Sequence, residues 1–200
     1  MNDSPGAAAL SAKLDTANIS VAQSDRKRNE DSAEERIEKL VRRARAGDKN
    51  AFGELYRQYH GAIFRLARFA LGEGAEDVVS ETFVRAWAGL PRYRRTGAPF
   101  VSWLYAIARH IVSDEIRRRQ RSARASPDAH DAYEESHDDR LDLAAAIARL
   151  PRRQRQVVEM KYLLGLTNPE VAAALGISTG AVNTKQWRAL QSLKTSLERT

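Results

Sequence analysis

Between residues 35 and 125 the apolar positions recur every three or four residues, the period of helices that each bury one face. Ile37, Leu40, Val41 and Ala44 predict a first helix from Glu35, ended by Gly47-Asp48. Phe52, Leu55, Tyr56, Tyr59, Ile63, Leu66, Ala67 and Ala70 stripe a second, from about Asn50 to Leu71, which Gly72 and Gly74 break. A third runs from about Ala75 to Leu90 and turns Val79, Phe83, Ala86, Trp87 and Leu90 inward. It leaves Asp77, Glu81 and Arg85 four apart on another face, and Pro91 ends it. After the loop PRYRRTGAP a fourth helix begins near Phe100, with Trp103, Leu104, Ile107, Ile111 and Ile116 as its core-facing line.

The pattern lapses over 126–140 and resumes at Leu141, where a short helix reaches Leu150. Pro151 opens the next, which carries Val157, Val158, Met160 and Leu164 to Gly165. Thr167 and Glu170 then have the spacing of a capping box, with Pro169 tolerated in the first turn. That helix stops at Gly176, and Ser178 caps a last one whose buried line is Val182, Ala189, Leu190, Leu193 and Leu197. Small Ala172, a left-handed Gly176, and Ile177 with Val182 as the lock between helices are the requirements of a helix-turn-helix. The expected fold is all-α, two small helical domains: residues 35–125 with four helices, and residues 141–200 with the helix-turn-helix. A flexible linker at 126–140 joins them, and a disordered tail at 1–34 precedes them.

Charge divides along the same lines. The 200 residues carry 33 Lys+Arg against 26 Asp+Glu, a formal +7. By segment the balance is −3 over 1–35, +10 over 36–125, −6 over 126–142 and +6 over 143–200. Two basic blocks therefore flank an acidic strap, SPDAHDAYEESHDDRLD, whose His130 and His137 read as solvated linker residues rather than metal ligands. There is no cysteine, which removes disulfides, thiolate metal sites and cysteine nucleophiles and makes a reducing cytoplasm the expected home. No apolar run approaches membrane-spanning length and no leader pattern opens the chain, so no membrane insertion is expected.

Two clusters suit nucleic acid. The fourth helix ends in Asp114-Glu115-Ile116-Arg117-Arg118-Arg119-Gln120-Arg121, and the loop before it holds Arg92, Arg94 and Arg95 around Tyr93. A helix C-terminus favours one or two cations but has no use for this many. Guanidinium groups hold phosphates bidentately, and Tyr93 offers a stacking surface for an unpaired base. In the last helix Asn183, Thr184, Lys185, Trp187 and Arg188 fall on the outer surface, with groups suited to base edges and phosphates. Of these Trp187 is ambiguous, since tryptophan is more often packed. Clustered carboxylates, an activated nucleophile and a Gly-rich phosphate loop are all missing, so neither an enzyme nor a cofactor is expected.

From Glu35 to Leu197 the order of elements resembles the extracytoplasmic-function (ECF) group of bacterial sigma factors, small two-domain members of the sigma-seventy family. AEDVVSETFVRAW and FVSWLYAIARHIVSDEIRRRQR look like that family's third and fourth helices, and LPRRQRQVVEMKYLLGLTNPEVAAALGISTGAVNTKQWRAL like its promoter-reading helix-turn-helix. The resemblance implies core RNA polymerase as partner, with Asp77, Glu81 and Arg85 on the clamp helices of the largest subunit and the second domain at the flap region. The alternative for those three is an ordinary exposed face with local four-apart pairs. It also implies promoter DNA as ligand. Arg92, Tyr93, Arg94, Arg95, His110, Asp114, Arg117, Arg118 and Arg121 would serve the minus-ten element and its melting. Ser178, Thr179, Asn183, Thr184, Lys185, Trp187 and Arg188 would read the minus-thirty-five element. An anti-sigma protein is a further partner that relatives commonly have. The acidic strap suits a channel built for RNA, and by folding against either basic domain it would leave the isolated protein a poor binder of promoter DNA.

The chain departs from the family pattern at Ser80, where Gln is usual, at His110, where Asn is usual, and at Asn183, where a basic residue is frequent. His110 reads as an altered pocket or, the more ordinary outcome, as a packed histidine. A polymerase-independent helix-turn-helix regulator is the nearest rival, although its first domain would then be expected to offer a ligand pocket or a symmetric apolar face.

Overall fold

The computed structural model describes residues 33–94, 97–125 and 139–198, and every regular element among them is helical. Helix α1 (33–45) ends in a turn at Gly47, and Asp48 then caps α2 (Lys49–Leu71) by accepting from the Asn50 and Ala51 amides at 2.9 and 3.0 Å. Those amides, with Arg43, hold the Asp48 carboxyl below the usual carboxylate range. Helix α3 (Ala75–Gly89) packs against α2 after the Gly72–Gly74 turn. Pro91 does not stop the chain abruptly, because a 3-10 turn (Leu90–Arg92) carries it on before α4 (Phe100–Ala125). Proline fits there: a first helical turn needs no amide hydrogen from it.

The cores follow the predicted stripes with local corrections. Leu55, Ile63, Leu66, Val79, Leu90 and Leu104 are fully buried. Tyr56 stands partly out, while Val78 and Thr82, absent from the predicted line, are buried, and the Thr82 hydroxyl donates to the Val78 carbonyl at 2.6 Å. An aromatic group of Tyr59, Tyr93, Phe100 and Trp103 closes the end where the loop enters α4.

In the second half α5 (Asp139–Arg149) and α6 (Arg152–Val158) lead into a π-helical turn (Glu159–Leu163), and α7 (Asn168–Leu175) and α8 (Thr179–Leu197) form the helix-turn-helix. Val182, Ala189 and Leu193 are buried as expected, but Leu190 and Leu197 lie off that line and remain substantially exposed. The π turn widens the helix, with the Leu164 amide donating to the Glu159 carbonyl five residues back at 3.2 Å.

The two halves meet directly. One apolar cluster includes Leu104, Tyr105 and Ala108 of α4 together with Val157 of α6 and Met160 and Leu164 beyond it. Within it Glu159, 4% exposed, accepts from the Tyr105 hydroxyl at 2.6 Å and pairs with Arg109 at 3.3 Å. Burial pushes this carboxyl up while Arg109 and the Tyr105 hydrogen bond pull it back, and the same burial raises the Tyr105 phenol. Arg65 of α2 adds a hydrogen bond to the Leu163 carbonyl at 3.1 Å.

One arginine of the basic run is structural. Arg119 donates to the carbonyls of Leu71 and Glu73 at 3.0 and 2.8 Å, tying the end of α4 to the α2–α3 turn. Arg119→Ala should therefore lower the urea midpoint of the first half, a loss of about 1 kcal/mol. Arg117→Ala, whose partner among the described residues is Asp114 one turn away, should leave the midpoint unchanged.

Candidate nucleic-acid interface

The outer face of α4 is a graded row of charge. His110 is not packed: its side chain is 68% exposed, with Nε2 3.3 Å from Asp114. The α4 residues at 104, 108, 111 and 112 take the inward positions, which leaves 110 on the opposite side of the turn. Asp114 also accepts from Arg117, and Glu115 from Arg118 and Arg119. The Arg117 hydrogen bond holds the Asp114 carboxyl down, and Arg118 and Arg119 hold Glu115 at about 2. These pairings orient the guanidinium groups along the helix without neutralising the run, and Arg121 stands exposed beyond them.

In the preceding loop Arg92 and Arg94 are exposed, while Arg95 falls outside the described residues. Tyr93 differs from its expected part as an open stacking surface. Its ring is half-buried, edge-on to Phe100 at 5.4 Å and tilted on Trp103 at 4.9 Å, so one side is committed to the aromatic cluster.

Helix α3 turns Asp77 and Arg85 outward, with Glu81 half-buried. Arg85 Nε donates to Glu81 at 2.6 Å, so the local four-apart pair is formed, and Asp77 remains apart from it. Val84, 64% exposed, adds an apolar group beside them that periodicity did not single out. Between α3 and α4 a cleft of about 440 Å³ is lined by Asp77, Glu81 and Arg85 on one side and Asp114, Arg118 and Arg121 on the other. Two sets of residues that the sequence assigns to different partners are thus neighbours across one groove.

The helix-turn-helix forms as its spacing requires. Thr167 and Glu170 complete the capping box, with the Thr167 amide donating to Glu170 at 2.7 Å. Gly176 adopts φ 63° and ψ 41°, a left-handed turn that side chains disfavour. Ser178 Oγ accepts from the Ala181 amide at 3.2 Å, so its oxygen serves as the cap of α8. Along α8, Thr179, Asn183, Thr184, Trp187 and Arg188 are exposed and Lys185 is half-buried. Trp187, at 63% exposure, is a surface group rather than a packed one. Thr184 Oγ1 donates to the Gly180 carbonyl at 3.0 Å, leaving its oxygen as an acceptor.

Sequence reasoning missed three residues behind this face. Asn168 donates to Asn183, and Gln186 donates to the Tyr162 hydroxyl at 3.0 Å. Only the polar character of Asn168 at the start of α7 hints at such a link. His130, His137 and the acidic linker lie outside the described residues. Among the described residues no group of three His, Asp or Glu is placed to hold a metal, and no helix is long and apolar enough to cross a membrane.

Comparison with known proteins matches this layout twice along the chain. Residues 55–122 match the family Sigma-70 region 2, and residues 140–193 match Sigma-70, region 4, together more than half of the chain. The ECF RNA polymerase sigma factor SigD of Mycobacterium tuberculosis is 36% identical over 179 residues, covering 80% of this chain and 83% of SigD. BldN of Streptomyces coelicolor, also an ECF RNA polymerase sigma factor, is 34% identical over 175 residues, covering 82% of this chain and 66% of BldN. The solved structure of CnrH in complex with the cytosolic domain of CnrY superposes with a TM-score of 0.61 at 28% identity, covering 80% of this chain and 96% of CnrH. With its two helical halves in the order of regions 2 and 4, the chain belongs to the ECF RNA polymerase sigma factors of the sigma-seventy family.

Proposed function

We propose that this chain binds core RNA polymerase, directs it to a specific set of promoters and assists their melting. The observation that carries the reading is the placement of two separate basic surfaces, on α4 and on α8, with the carboxylate-bearing face of α3 beside the first. Asp77, Glu81 and Arg85 dock on the clamp helices of the largest subunit, where carboxylates pair with arginines and Val84 adds apolar contact. The second half sits at the flap region. Arg92, Arg94 and Arg95, with His110, Arg117, Arg118 and Arg121 of α4, hold the non-template strand of the minus-ten element, and the exposed side of Tyr93 meets a base taken out of the stack. Captured single strand offsets the stacking that is lost, so melting needs no nucleotide hydrolysis. Arg119, occupied by the α2–α3 turn, has no part in this. Helix α8 reads the minus-thirty-five element in the major groove.

The contact between the halves supports the expectation that the isolated chain is a poor promoter binder, by a route other than the acidic strap. The two promoter elements are about 25 base pairs apart, roughly 85 Å at 3.4 Å per step. A compact body of this length is about 40 Å across. With Glu159 held by Tyr105 and Arg109, α4 and α8 cannot serve both elements together, and docking on polymerase separates the halves. An anti-sigma protein that covers these faces is a second means of holding the factor inactive.

Run-off transcription with purified core polymerase and genomic fragments tests the function: specific transcripts should appear only when the protein is added. Asp77→Lys with Glu81→Lys should abolish association with core polymerase in an unchanged fold, and association at wild-type strength would overturn the docking face. Arg188→Ala or Lys185→Ala should weaken upstream recognition while polymerase binding persists; equal loss of both would contradict the division of labour. Glu159→Lys, set against Arg109 and Arg155, should raise the radius of gyration of the free chain in small-angle scattering. A curve identical to that of the wild type would show that the halves are not closed through this residue.

A further inference from the structure

Asn168, the first residue of α7, links the scaffold helix of the helix-turn-helix to its recognition helix. Its Nδ2 donates to Asn183 Oδ1 at 2.5 Å and lies 3.5 Å from Gln186 Oε1. Gln186 Nε2 in turn donates to the Tyr162 hydroxyl at 3.0 Å. The orientation of the Asn168 amide is fixed by burial. Its Oδ1 is enclosed without a partner among the described residues, and turning the group over would enclose two N–H donors there instead. Orphaned buried donors are rarer than under-satisfied carbonyl oxygens.

The consequence falls on Asn183, exposed on the second turn of α8 where recognition helices meet base edges. An unrestrained asparagine reads adenine with its donor and acceptor together. Here the acceptor is occupied from behind, and the amide NH2, which has no partner among the described residues, is the group left to face the groove. We propose that Asn168 is a positioning residue that makes Asn183 a donor-only reader, rejecting cytosine at one position of the upstream element. Guanine presents O6 and N7 to such a donor, thymine O4 and adenine N7, whereas cytosine opposes it with an amino group alone. This inference rests on α8 as the recognition helix of a sigma factor.

The test is selection from a promoter library randomised across the upstream element, using holoenzyme assembled from core polymerase and the full chain. The wild type should disfavour cytosine at the position where Asn183→Ala loses its preference. Asn168→Asp has only acceptors to offer, so Asn183 turns its NH2 inward and its oxygen outward. Cytosine and adenine should then be accepted there and thymine and guanine disfavoured, with a change of about tenfold in the thymine-to-cytosine ratio and the other positions unmoved. Aspartate suits the first turn of a helix, so α7 is retained. Asn168→Ala should flatten the preference at the same position alone. A merely structural role would weaken selection at every position without inverting any. The inference is overturned if Asn168→Asp selects the wild-type sequence, if the wild type prefers cytosine there, or if Asn183→Ala changes no position. A wild-type chain that selects no upstream sequence overturns the sigma-factor reading together with it, whereas selection by the wild type that Asn168→Asp leaves unmoved overturns this inference alone.

Discussion

A carboxylate shut away from water has to be answered, and the answer to Glu159 organises the whole chain. The oxygens of this side chain meet Tyr105 and Arg109, fifty or more residues earlier and in the other half of the molecule. A buried ionised group without such partners would carry a desolvation cost of several kcal/mol. The π-helical turn that begins at Glu159 widens the backbone there, and Met160 and Leu164 join the apolar cluster that α4 already occupies. A polar clasp inside an apolar seam fixes register in a way that apolar contact alone does not, since sliding the halves would strand the charge.

Helix α4 consequently has three duties divided around its circumference. Leu104, Ala108 and Val112 hold the first half together, Tyr105 and Arg109 hold the second half to it, and His110, Arg117, Arg118 and Arg121 remain outside. The exposed basic face is the remainder after packing has taken the other two. Arg119 shows how fine the partition is, because it belongs to the basic run in sequence yet is bound to the carbonyls of the α2–α3 turn. The same economy operates in the helix-turn-helix, where the Ser178 hydroxyl caps α8 and the exposed Asn183 accepts a hydrogen bond from Asn168 behind it.

Charge follows this architecture. The excess of +7 is a remainder between two basic halves and two acidic segments. On α4 the acids at 114 and 115 sit among the arginines and hold them in place, so the basic surface is ordered rather than merely concentrated. On α3 the carboxylates at 77 and 81 lie across one cleft from Arg118 and Arg121 of α4.

Much of this was legible in the sequence, for local reasons. Helical periodicity, the Thr167–Glu170 capping box, the left-handed Gly176 and the cap at Ser178 are each set by residues within a turn or two of one another, and each forms where the pattern puts it. The outward set on α8 was readable for the same reason, since a helix face is a matter of spacing. Errors came where neighbours distant in sequence decide the outcome. Leu190 and Leu197 have the right character for the core but stay 41% and 42% exposed, His110 stands outside because other residues fill the inside of α4, and Tyr93 gives one side of its ring to Phe100 and Trp103. No local signal marked Glu159 as the meeting point of the two halves, nor Asn168 as the restraint on Asn183. Sequence by itself determined the helices, their caps and the two basic surfaces, because those depend on short-range geometry. Only the tertiary structure decided which of the polar groups are exposed, paired or held in one orientation, because that depends on which side chain from elsewhere in the chain arrives beside them.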